Sequence, residues 1–159
     1  MKNFAILLAT WFHVGRIKKA PGTWGTLAAI PLCLALHFFG PFWQMGFSLL
    51  LFPVAVWAAE AYEAHVGRHD SSEIVIDEVL GFLITVTWLP LTWQTYVIGF
   101  LVFRALDILK PFPISYFDKH VKGGIGVVAD DVVAGILGNM LLQFIFIKSN
   151  LLGLQWSPL

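Results

Sequence analysis

Apolar residues run along this chain in five stretches, Leu27 to Phe39, Phe42 to Ala59, Val79 to Leu91, Thr95 to Leu106 and Val132 to Ile147, with polar residues gathered between them. Continuous runs of this length predict helices rather than strands, so the expected fold is all-α. Only Phe42 to Ala59 reaches the roughly 18 residues of a confident membrane span, and the others are short enough to be re-entrant or packed helices. Two of them lengthen if their helices run from Ile74 and on to Leu109. Gly40-Pro41 and Pro90-Leu91-Thr92-Trp93-Gln94 read as turns. At the start, Phe4 to Phe12 follows Lys2 and has the length of a signal-peptide core, but no small-x-small cleavage site precedes Arg16-Ile17-Lys18-Lys19. It reads as a retained helix, either lying at the membrane surface or packed on the bundle. Further on, Ile114, Phe117 and Val121 line one side of a short helix and Ser115, Asp118, Lys119 and Lys122 another, an interfacial pattern. The expectation is a compact polytopic membrane bundle of about five apolar helices plus short interfacial helices, one domain over 1–159 with no repeat.

Composition strengthens the membrane reading. The chain is 58% hydrophobic and 13% charged, and its mean hydropathy of +0.77 is far above that of soluble domains. Net charge is zero and no basic run exceeds Lys18-Lys19, so nothing supports a nucleic-acid footprint. Cys33, the single cysteine, lies in an apolar stretch and reads as a packing residue. If all five stretches cross, every polar block ends on one face. That face carries nine of the ten basic residues, all but Lys148, and the excess marks it as cytoplasmic.

The acidic residues change the picture again. Eight of the ten carboxylates fall at the ends of apolar stretches, as Asp70/Glu73/Asp77/Glu78, Asp107 with Asp118 nearby, and Asp130/Asp131; Glu60 and Glu63 complete the ten. Carboxylates contribute little to topology, and acids at membrane depth are costly unless they meet cations. On a helix Asp70, Glu73 and Asp77 would share a face with Glu78 turned about 100° away, a repulsive set that a cation would neutralise. A solvated first turn that favours the helix dipole would explain one or two of these acids, not four. Oxygen-only donors favour a hard ion, Mg²⁺ over Zn²⁺.

Three other blocks add chemistry. Pro21-Gly22-Thr23-Trp24-Gly25-Thr26 precedes an apolar helix, and reads either as an ordinary turn and cap or as a helix N-terminus whose N–H groups receive phosphate. In Phe103 to Pro113, Arg104, Asp107 and Lys110 share a face, and Pro111 and Pro113 stop the helix. Arg104 could clamp a phosphate with Lys110 as a second charge, or simply pair with Asp107. Asp118 reads as a surface partner of Lys119 or Lys122. Gly123-Gly124-Ile125-Gly126 reads as a flexible loop before Asp130 and Asp131 at a helix start, one acid binding metal and the other capping the helix or orienting a ligand. His69 is a candidate proton carrier, or an ordinary surface histidine.

Taken together, the blocks at 21–31, 74–81 (Ile-Val-Ile-Asp-Glu-Val-Leu-Gly), 103–114 and 123–135 (Gly-Gly-Ile-Gly-Val-Val-Ala-Asp-Asp-Val-Val-Ala-Gly) resemble the phosphatidylglycerophosphatase A family in order and spacing, over Pro21 to about Leu142. The resemblance implies a bacterial inner-membrane, Mg²⁺-dependent phosphatase that converts phosphatidylglycerophosphate to phosphatidylglycerol. On matching positions it carries over Asp77, Glu78, Arg104, Asp107, Lys110, Asp130 and Asp131, with the turn residues Gly22, Thr23, Gly25 and Thr26. The expected site therefore has Asp77, Glu78, Asp107 and Asp131 as catalytic residues. Its metal ligands are drawn from Glu73, Asp77, Glu78, Asp107, Asp130 and Asp131, and its phosphate contacts are Gly22, Thr23, Gly25, Thr26, Arg104 and Lys110.

Other phosphatase chemistries are excluded by the residues themselves. There is no Cys-x5-Arg loop around Cys33, no Asp-x-Asp nucleophile motif and no Pro-Ser-Gly-His block. Carboxylate and metal chemistry remains, with either activated water or an aspartate as nucleophile. A small cation transporter or channel is the alternative from another class, but it would spread acids along the helices rather than crowd them at one side.

Overall fold

The structure is a computed structural model that describes residues 2–67 and 71–154. Among these residues the chain forms seven α-helices and no strand: α1 (Lys2–Ala9), α2 (Pro21–Phe39), α3 (Pro41–Val66), α4 (Ile76–Thr85), α5 (Trp93–Leu109), α6 (Ile114–His120) and α7 (Gly123–Lys148). Each of the five apolar stretches lies within or overlaps a helix, and α6 is the expected short one. Prolines sit in the first turns of α2 and α3, where a missing N–H costs nothing.

Among the described residues, α2, α3 and α7 are long and apolar enough to cross a membrane, and they mark a membrane protein. At 26 residues each, α3 and α7 reach about 39 Å. The outward faces carry Leu49, Leu50, Leu101, Met140 and Phe144, all exposed, as lipid-facing positions require. Phe42, Trp43 and Trp93 sit exposed at the end opposite the acids, the level at which aromatic rings border the polar boundary.

Helix α1 is packed on the bundle: Ala5 and Ala9 are fully buried, and the Ala9 carbonyl accepts from Val75 N at 2.9 Å. Cys33 is buried in the core, as expected. The shortest of the central helices, α4, is the most enclosed, with Phe82 set between Tyr96 and Phe103 at centroid distances of 6.4 and 6.3 Å. It crosses α7 backbone to backbone, since a Cβ added to Gly135 would lie 2.4 Å from the Gly81 carbonyl oxygen. Small residues are what allow such an approach between membrane helices.

The Val79 to Leu91 stretch is helical only as far as Thr85. A helix can end inside an apolar bundle only if its last carbonyls find donors. Here Gln44 of α3 donates to the Leu83 carbonyl at 2.9 Å, and Asn139 of α7 donates to the Thr85 and Thr87 carbonyls at 3.0 and 2.7 Å. The stop is thus supported mainly from α3 and α7, with the Thr87 hydroxyl adding a local bond to the Leu83 carbonyl at 2.8 Å.

Candidate functional site

The near ends of α2, α4, α5 and α7, together with α6, enclose a cavity of about 520 Å³. Its wall contains Asp77 and Glu78 from α4, Arg104 and Asp107 from α5, Lys110 just beyond α5, Asp118 from α6, and Asp130 and Asp131 from α7. Six carboxylates therefore face two cations. Asp77, Asp130 and Asp131 are 7%, 6% and 4% exposed, which makes the imbalance expensive without further positive charge.

The cations are committed to particular acids. Arg104 Nη1 donates to Asp107 Oδ2 at 2.5 Å and stands 3.7 Å from Glu78 Oε1. Lys110 caps α5 in the left-handed region, with φ 43°; Pro111 follows and disfavours helical continuation. Its ammonium donates to Asp130 Oδ2 at 2.5 Å and also to Asp118. Asp118 thus pairs with Lys110, not with Lys119 or Lys122 as the local sequence pattern suggested. Burial opposes the charge on Lys110, but hydrogen bonds and charge from Asp118 and Asp130 outweigh it and hold the ammonium protonated above the usual lysine range. Burial, then the charges of Glu78 and Asp131, pushes the Asp77 carboxyl well above the usual carboxylate range.

Several oxygens still lack partners. Glu78 Oε2, Asp130 Oδ1, Asp131 Oδ1 and Arg104 Nε are buried with no hydrogen-bond partner. Asp77, Glu78 and Asp131 can bring one oxygen each within 4.8 Å of one another, and so can Asp107, Asp130 and Asp131. An oxygen-only donor set, orphaned carboxylate oxygens and excess negative charge are the requirements of a hard divalent cation.

Two expectations need correction. Glu73 precedes α4, which begins at Ile76, so no helical face unites it with Asp77. Its carboxylate accepts from the Tyr62 hydroxyl at 2.7 Å and lies 3.7 Å from Arg16 Nε, and it is absent from the cavity wall. Asp70 and His69 lie outside the described residues. The glycine-rich run is not a flexible loop: α7 starts at Gly123, so Asp130 and Asp131 lie two turns inside the helix and neither caps it. Both are instead aligned with the cavity from a rigid element.

The turn at Pro21 is likewise the first turn of α2. Of its residues, Gly22 lines the cavity, whereas Thr23, Gly25 and Thr26 do not. Thr26 is buried, with its hydroxyl donating to the Gly22 carbonyl at 2.8 Å. Gly25 lies against Val75, where a Cβ would approach the valine side chain to 2.7 Å. Gly22 is pressed against the acids: a Cβ there would lie 2.0 Å from Glu78 Oε1. Ser71 and Ser72, which the sequence reading passed over, also line the cavity; their position before Asp77 was the only signal available.

Residues 7–146 match the family model for phosphatidylglycerophosphatase A. A phosphatidylglycerophosphatase A of Escherichia coli (strain K12) is 40% identical over 149 residues, 91% of this chain and 85% of the relative. Another, from Haemophilus influenzae, is 42% identical over 132 residues, 82% of this chain and 81% of the relative. A Bacteroides thetaiotaomicron protein named provisionally as a phosphatidylinositol-3-phosphatase is 37% identical over 150 residues, 86% of this chain and 90% of the relative. No solved structure matches. With the match spanning every residue that lines the acidic cavity, the chain belongs to the phosphatidylglycerophosphatase A family, a family of phosphatases.

Proposed function

We propose that this chain is an Mg²⁺-dependent lipid phosphomonoesterase of the bacterial inner membrane. It takes phosphatidylglycerophosphate and water to phosphatidylglycerol and phosphate, with the cavity facing the cytoplasm. The observation that carries the reading is the meeting of six carboxylates, two cations and four orphaned polar atoms in one cavity of a chain two of whose relatives are named for this reaction. The excess of basic residues on the same side supports the cytoplasmic orientation.

Asp77, Glu78, Asp107, Asp130 and Asp131 are the residues that would hold Mg²⁺. When bound, the ion supplies a Lewis acid that draws charge from phosphoryl oxygens and makes water a better nucleophile. The chain's own cations do the rest. Arg104, with a free buried Nε, and Lys110 turn from their carboxylates toward the phosphoryl oxygens and stabilise the charge spread over them in transfer. Gly22, without a side chain, lets the start of α2 close on the headgroup. The acyl chains remain outside, against the lipid-facing helices, while the doubly phosphorylated headgroup enters the cavity. The crowding of the acids at one end argues against an ion path, which would need them along its length.

The test is phosphate release from phosphatidylglycerophosphate by the detergent-purified chain, with Mg²⁺ and with a chelator. Release that the chelator abolishes is expected. Absence of release from well-folded protein, or release indifferent to chelation, would overturn the reading.

A further inference from the structure

The three orphaned carboxylate oxygens are not scattered through the cavity. Glu78 Oε2 belongs to the triad Asp77, Glu78, Asp131, and Asp130 Oδ1 belongs to the triad Asp107, Asp130, Asp131. Asp131 Oδ1 is on the residue the two triads share. Each triad thus has an unsatisfied oxygen of its own, and a third lies at their junction. Asp131 and Asp130 are both more than nine-tenths buried, so bulk water does not answer for these oxygens.

We propose that the cavity holds two divalent cations side by side, one on Asp77, Glu78 and Asp131 and the other on Asp107, Asp130 and Asp131, with Asp131 joining them. This rests on the reading of the cavity as a divalent-cation phosphatase site and gives it a stoichiometry. A carboxylate has two oxygens and can serve two ions at once. Paired ions about 3.5–4 Å apart can hold both the attacking and the leaving oxygen of an in-line displacement.

The two positions are unequal. Both native cations lie on the second triad, Arg104 on Asp107 and Lys110 on Asp130, each at 2.5 Å. The first triad is approached only by Arg104, 3.7 Å from Glu78, among the ion pairs of the described residues. An ion entering the second position must displace an ammonium and a guanidinium, so it binds more weakly than the first. Lys110 is therefore a built-in competitor for the second ion, and its release on binding frees it for phosphate.

The experiment is a Mn²⁺ titration of the chelator-stripped, detergent-solubilised full chain, with bound ion counted and its electron paramagnetic resonance recorded. Expected are two Mn²⁺ per chain, the second at least tenfold weaker, and a spectrum of a magnetically coupled pair at saturation. Asp107→Asn is expected to leave one uncoupled Mn²⁺, bound about as tightly as the first in the unaltered chain. Lys110→Gln is expected to shift the opposite way, still binding two and tightening the second several-fold. Saturation at one uncoupled Mn²⁺ in the unaltered chain would overturn the proposal. So would two coupled ions in a folded Asp107→Asn variant, or a second ion weakened by Lys110→Gln. Phosphate release with one ion bound would remove the pair and leave the phosphatase standing. Two coupled ions without release from phosphatidylglycerophosphate would keep the pair and remove the substrate.

Discussion

The two ends of α4 face the same physical problem and solve it in opposite ways. At the far end, three backbone carbonyls at and beyond the last turn of α4 lie inside an apolar bundle, and neutral amides from Gln44 and Asn139 reach each of them within 3.0 Å, with the Thr87 hydroxyl also donating to Leu83 and Gln143 to Thr87. At the near end, buried Asp77 and half-buried Glu78 meet further carboxylates, and Glu78 Oε2 is left with no partner. A satisfied neutral network lowers the energy of the fold and has nothing left to bind. A crowded, unsatisfied anionic one is costly in the empty protein, and that cost is returned when a cation arrives. The difference separates structure from function along a helix of ten residues.

The contrast can be broken by exchanging roles. Asp77→Asn should lower phosphate release about 10³-fold, roughly 4 kcal/mol in the barrier, while the metal-free protein melts no lower than before. A parallel loss of folding and activity would make Asp77 an ordinary core residue. Asn139→Leu at the other end should do the reverse. Leaving the Thr85 carbonyl unpaired, and Thr87 with only the longer 3.4 Å bond from Gln143, costs about 2 kcal/mol of stability, and turnover per folded molecule stays as it was; a thermal melt beside an activity assay reads both.

Smaller effects sharpen the same comparison. Gly22→Ala pushes a methyl onto the Glu78 carboxylate and should reduce turnover about tenfold, near 1.4 kcal/mol, with little change in melting temperature. The mildest prediction concerns pH. Because Asp77 is held above the usual carboxylate range in the fold, it contributes stability that is present below that range and lost as pH rises through its raised value. The chelated protein should therefore melt a few °C lower on going from acid to neutral pH, and Mg²⁺ should cancel much of the drift. A chelated melting temperature that climbs with pH would contradict it.

Legibility followed the range of the interaction. Helix positions were readable because apolar runs are local, and Phe42 to Ala59 falls inside α3. The helical face expected for Glu73 and Asp77 fails for the opposite reason: helical spacing does not extend back past Ile76, because the Val75 N–H bonds the Ala9 carbonyl and Glu73 turns to Tyr62 and Arg16. Placing Asp130 and Asp131 at a helix start followed from reading glycines as loop, whereas in α7 they are contact points. Gly124 lies so close to α3 that a Cβ would be 2.4 Å from the Val56 carbonyl oxygen.

The sequence by itself determined the class of fold, the side on which charge collects and the residue types of the site, because hydropathy and charge are properties of segments. Only the tertiary structure decided that α4 stops at Thr85, that Lys110 reaches Asp130 and Asp118, and that Asp131 alone belongs to both triads. Each of these depends on which helix faces packed together, and therefore on contacts between residues far apart in the chain.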